Sequence, residues 1–134
     1  MRTKIWRVLF LLLAIGLVFF YWLTLPQKIR AEDVPADYQA DLKNGERLFW
    51  AGGCASCHAV PGAKGDAKLI LAGGAPLITP FGTFVVPNIS PDTEVGIGGW
   101  SNVDFINAMV KGVSPKGEHY YPAFPYTNYQ RMPY

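Results

Sequence analysis

Two thiols and an imidazole stand within five consecutive residues, Cys54-Ala55-Ser56-Cys57-His58. On a helical turn, residues three apart share a face, so both sulfurs point the same way. Each can then form a thioether to one vinyl group of a haem, and His58 can bring a ring nitrogen to the iron. The chain has two cysteines and two histidines in all, so this reading uses both thiols and predicts one covalent haem c.

Three rival chemistries fit less well. A structural zinc site needs four protein ligands and a catalytic one usually three, whereas the second histidine, His119, is far along the chain and no second CxxC exists. A dithiol redox pair belongs at a helix start after a strand in a βαβ pattern, and no such pattern precedes Cys54. A disulfide across a two-residue gap on a helix holds its sulfurs in poor geometry.

An electron-transfer haem usually takes a second axial ligand from the protein, and a thioether opposite histidine raises the reduction potential. Met109, Met132 and His119 are the candidates. Met109 falls on the apolar stripe of a helix and is expected to pack in the core. Met132 sits in a Pro- and Tyr-rich segment able to reach the other haem face, and by spacing alone it is equally a surface methionine. His119 is a rival ligand or a propionate partner. Pro61, three residues after His58, offers a carbonyl that can accept a hydrogen bond from the other ring nitrogen of His58, although Val60-Pro61-Gly62 also reads as a turn.

The elements that must position these groups follow from the patterning. Val8 to Gln27 carries no charge and is dominated by Leu, Phe, Val and Ile. It is about as long as the roughly 20 residues a helix needs to cross a bilayer core. Tyr21 and Trp22 sit at its outer end, while Arg2, Lys4 and Arg7 precede it and predict a cytoplasmic N-terminus. A cleaved signal peptide is the alternative, but its apolar run is roughly 7–15 residues and ends in small residues, which Leu23-Thr24-Leu25-Pro26 does not supply. The prediction is a single-pass anchor and flank over residues 1–30, with residues 31–134 exported.

From Lys28 onward the chain has nine basic and ten acidic side chains, so the exported part is near neutral and carries no nucleic-acid footprint. Tyr38, Leu42, Gly45, Leu48 and Phe49 predict a helix over about Asp37 to Ala51, stopped by Gly52-Gly53. Gly45 either admits a close neighbour or is a tolerated surface glycine. Residues 59–99 are rich in Gly and Pro, with at most a short extended piece from Gly82 to Val86. Ser101 and Asp104 have the spacing of a capping box. Val103, Ile106, Met109 and Val110 follow as a helical stripe, with Gly112 at its stop. The segment from His119 to Tyr134 is too aromatic for a disordered tail and is expected to pack on a large flat apolar group. The regular structure is therefore mostly α.

Several segments resemble a known family, the haem domains of membrane-bound dehydrogenase cytochrome subunits such as those of alcohol, aldehyde and gluconate dehydrogenases. They are Gly52-Gly53-Cys54-Ala55-Ser56-Cys57-His58, Thr79-Pro80-Phe81-Gly82-Thr83-Phe84, Pro87-Asn88-Ile89-Ser90-Pro91-Asp92, Gly96-Ile97-Gly98-Gly99-Trp100-Ser101 and Tyr121-Pro122-Ala123-Phe124-Pro125-Tyr126. The resemblance implies a class I cytochrome c fold and selects Met132 as the distal ligand. It implies an electron carrier, not an enzyme in itself, working on the periplasmic side of the inner membrane. Electrons would come from a periplasmic dehydrogenase and go toward quinone or a terminal oxidase. Two departures stand out. Relatives commonly carry several CxxCH motifs, and they continue past the methionine into a helix that packs near the counterparts of Gly45 and Phe49. The chain is thus expected to be a piece lacking that helix. If Met132 did not coordinate, an open iron position would instead suit a haem-based sensor of small ligands.

Overall fold

A computed structural model describes residues 2–132 of the chain, which divide into two compact units. One contains residues 2–29 and 107–132, the other residues 30–106.

The first unit begins with helix α1, Arg2–Leu23, rich in Leu, Phe and Val and with no residue buried by protein. It is long and apolar enough to cross a membrane. Its last turn is closed by Thr24, whose hydroxyl donates back to the Phe20 carbonyl at 3.0 Å before Pro26 ends any continuation. The stretch just beyond is pinned to the distant segment of the same unit. The Ile29 N–H donates to Asn107 Oδ1 at 2.7 Å, and Asn107 Nδ2 donates to the Ile29 carbonyl at 2.9 Å. Lys28 Nζ donates to the Pro115 carbonyl at 2.8 Å. An amide side chain that mimics a backbone pair in this way can be buried at little cost, and Asn107 is 3% exposed.

Asn107–Lys111 is a π-helical turn rather than the α-helix that the Val103, Ile106, Met109 and Val110 stripe predicted. The wider turn rotates the face that follows, so Asn107 and Ala108 are buried while Met109 and Val110 are only half-buried. Gly112, at φ +62°, marks the predicted stop. Val113 bridges to His119, and the Tyr120 N–H donates to the Gly112 carbonyl at 2.8 Å. Phe124 then gathers the rings of Tyr120, Tyr126 and Tyr129 at centroid distances of 6.2, 6.4 and 6.1 Å.

The second unit holds the remaining regular elements. Helix α2 is Leu42–Ala51, shorter than predicted. Asp41 caps it by accepting the Asn44 N–H at 3.0 Å, and Tyr38 lies outside it in a turn on Pro35. Among the described residues its apolar stripe is poorly covered: Leu42 is 83% exposed, and a Cβ added at Gly45 would meet nothing within 4 Å. Gly45 is thus a surface glycine here. Gly53, at φ +65°, turns the chain from α2 into the five-residue helix α3, Cys54–His58. A 3-10 helix over Gly65–Ile70 leads to strands β1, Pro76–Thr79, and β2, Gly82–Val85. These pair antiparallel with Leu77 opposite Phe84; the patterning gave no sign of the first strand. Helix α4, Asn102–Ile106, opens on the predicted box. The Asp104 N–H donates to Ser101 Oγ, and the Ser101 N–H donates to Asp104 Oδ2, each at 3.1 Å.

Candidate haem-attachment site

Helix α3 is one and a half turns of backbone that exists to present its side chains. The Ser56 hydroxyl donates to the Gly53 carbonyl at 2.6 Å and so closes the first turn without a capping side chain at Gly53. Ala55 faces inward and is buried, while Cys54 is half-buried and Cys57 exposed. Both thiols are free. Burial pushes the Cys54 thiol above its ordinary value, partly offset by a hydrogen bond at its own backbone and reinforced by the neighbouring Cys57. Cys54 therefore stays a protonated thiol at neutral pH.

His58 is held at two points. Its carbonyl accepts the Gly73 N–H at 2.8 Å, and its Nδ1 lies 2.9 Å from the Pro87 carbonyl. A carbonyl can only accept, so Nδ1 carries the proton and donates. In the neutral ring the lone pair then resides on Nε2, the tautomer that a metal ligand needs. The expected partner was Pro61. That residue instead occupies an exposed turn in which the Ala63 N–H donates to the Val60 carbonyl at 2.9 Å, and the imidazole turns to Pro87.

The clasp between His58 and Pro87 is built by Leu71 to Ala75. The Ile89 N–H donates to the Leu71 carbonyl at 3.0 Å, the Gly74 N–H to Val86 at 2.9 Å, and the Val86 N–H to Ala75 at 2.9 Å. Gly73, at φ +68°, lets the two backbones touch, because a Cβ there would strike the Val86 and Pro87 carbonyls. Spacing alone singles out neither Gly73 nor Pro87 as a functional position. The available signals are the Gly73-Gly74 pair ahead of an extended run and the place of Pro87 at the head of one of the segments that carry the resemblance.

The other candidates for the iron lie in the first unit. Met132 donates its N–H to the Tyr129 carbonyl at 3.0 Å, and the residue is exposed, at 36%. His119 Nε2 lies 3.0 Å from the Thr24 carbonyl and must donate to it, which commits that nitrogen. Met109 is half-buried in the π-helical turn.

The donor set fits a covalent haem. Free thiols three residues apart on a helix match two vinyl groups, and the adjacent imidazole, with Nδ1 on the Pro87 carbonyl, leaves Nε2 available as a ligand atom. The unit that carries them buries only Ala55 among its hydrophobic side chains, so a large apolar group at α3 has abundant half-exposed surface to cover. The cytochrome c profile matches residues 42–133, from the start of α2 through the aromatic segment. The chain belongs to the cytochrome c family.

Membership brings a covalent c-type haem and electron transfer as the class of activity. Relatives sharpen the neighbourhood. A diheme cytochrome c-type protein of Cereibacter sphaeroides is 56% identical over 111 residues, 83% of this chain and 37% of that protein. A nicotinate dehydrogenase subunit of Pseudomonas putida is 47% identical over 93 residues, 69% of this chain and 7% of that subunit. The gluconate 2-dehydrogenase cytochrome c subunit of Pantoea cypripedii is 44% identical over 97 residues, 70% of this chain and 21% of that subunit. This cytochrome chain thus spans well under half the length of each of these relatives.

Proposed function

We propose that this chain is a membrane-anchored monohaem cytochrome c unit that relays single electrons from a dehydrogenase partner toward quinone or a terminal oxidase. Residues 1–30 anchor it, and residues 31–134 form the haem-bearing part on the periplasmic side. Bound haem supplies the one-electron redox chemistry. Cys54 and Cys57 hold it covalently, and His58 presents Nε2 as one axial ligand. Met132 is the proposed second ligand; a fixed ligand pair limits rearrangement between oxidation states. The near-neutral exported part and the dehydrogenase subunits among its relatives support docking on a protein donor rather than on nucleic acid.

The observation that carries this reading is the His58 Nδ1–H donated to Pro87 beside two free thiols. Expression in a host with cytochrome c maturation tests it. The protein should retain its colour through acid–acetone extraction, and a Cys54→Ala, Cys57→Ala double variant should lose it. Haem that extracts from the unaltered chain would end the covalent assignment.

A further inference from the structure

We infer that Gly73 is a positioning residue for the haem iron, acting through Pro87 and the His58 ring without touching either the ring or the iron. The inference rests on His58 being an axial ligand. The acceptor for Nδ1–H is a main-chain oxygen, so its place is decided by whatever holds the backbone at residue 87. Three contacts do so. Gly73 donates to the His58 carbonyl at 2.8 Å, Gly74 donates to Val86 at 2.9 Å, and Ile89 donates to Leu71 at 3.0 Å. The segment 71–74 thereby ties the ligand's own backbone to the stretch after β2 that accepts from its ring.

Two features say that this closeness is built in. Leu71 has φ +54° and is the one described non-glycine residue in the left-handed region, a conformation that persists only where surroundings enforce it. Gly73, in the same region at φ +68°, has the Val86 and Pro87 carbonyls packed against the position a Cβ would take. Gly65, outside the clasp, provides the contrast. It has φ +54°, so a side chain strains its backbone too, yet a Cβ there would meet nothing within 4 Å.

A methyl group at 73 must push the 86–87 backbone away and lengthen the Nδ1–H···O contact. A weaker contact makes the imidazole a poorer donor to ferric iron, which destabilises the oxidised state. The potential of Gly73→Ala should therefore rise by about 30–60 mV, a roughly three- to tenfold shift in the one-electron equilibrium at 59 mV per tenfold. The Nδ1–H proton, followed by NMR of the full haem-loaded chain, should exchange faster with solvent. Gly65→Ala should leave both readouts unchanged while costing similar stability.

If Gly73→Ala yields no haem-loaded protein, Leu71→Gly decides: it frees the clasp without adding bulk, and should raise both potential and exchange rate in smaller measure. Unchanged readouts in the loaded variants, or an equal shift in Gly65→Ala, would overturn the inference. A wild-type spectrum without an axial imidazole would instead overturn the ligand assignment on which it rests, so the two failures are separable.

Discussion

Asn107→Ala should destabilise the protein more than any other single polar truncation in the described residues outside the haem site. The side chain donates one hydrogen bond to Ile29 and accepts one from it, at 2.9 and 2.7 Å, and is itself 3% exposed. Truncation removes both bonds and leaves the half-buried Ile29 N–H and carbonyl without these partners. At about 1 kcal/mol for each of the two lost bonds, and up to about 1 kcal/mol more for each group left unsatisfied, the cost is about 2–4 kcal/mol. For a domain of this size that is a drop in melting temperature of about 8–15 °C. Asn107→Asp separates the contributions. It still accepts from the Ile29 N–H, yet it has nothing to donate and faces the Ile29 carbonyl with a charge. It should therefore lie near Ala and not near wild type. The assay is thermal unfolding of the haem-loaded chain in detergent, followed by circular dichroism. A melting temperature for Asn107→Ala within about 1 °C of wild type would show that this amide pair carries no net stability.

Met132→Ala should lower the reduction potential, abolish the near-infrared sulfur–iron band and open the ferrous iron to rapid carbon monoxide binding. An unaltered potential and band would strike Met132 from the ligand set, and rapid carbon monoxide binding by wild type would favour ligand sensing. Gly112→Ala should cost about 1–3 kcal/mol in a denaturant titration, because φ is +62° and the Tyr126 ring lies within 2.7 Å of the added carbon. Free variation there would contradict the packing. Asp92 is held below its ordinary value by N–H groups of Val95 and Glu94. Its contribution to the loop is thus present above the ordinary carboxylate range and lost as pH falls through the lowered value. Hydrogen exchange at those two amides should speed up on that acid side, and Asp92→Asn should flatten the response; a pH-independent profile in wild type would refute it.

Local relations are legible in the sequence and distant ones are not. The CxxCH turn, the Ser101–Asp104 box and the stop at Gly112 depend on neighbours within one helical turn, where residue type and spacing suffice. The apolar run of α1 reads from composition alone. The stripe places the start of helix α2 too early because Tyr38 continues it by coincidence. Asp41 and the turn on Pro35 decide the true start. The stripe after Ser101 assumes a constant 3.6-residue period, which the π-helical turn at Asn107 breaks. Pro61 suggests itself as the imidazole's partner because it is near His58 in sequence. The actual acceptor, Pro87, is brought in by a glycine whose lack of a side chain is its contribution. Asn107 carries no local signal, because its value lies in matching the amide edge of Ile29.

The oxygen that steadies His58 belongs to the main chain, and every amino acid carries one. Exchanging the Pro87 side chain therefore cannot delete the acceptor; it can only redirect it. With His58 as the proposed iron ligand, genetic drift at that position would leave the iron's electronic surroundings largely insulated, while the vulnerable spots move to places with no side chain to lose. In a mutational scan scored by midpoint potential, sensitivity should concentrate at small residues in the clasp rather than at the proline whose carbonyl makes the contact.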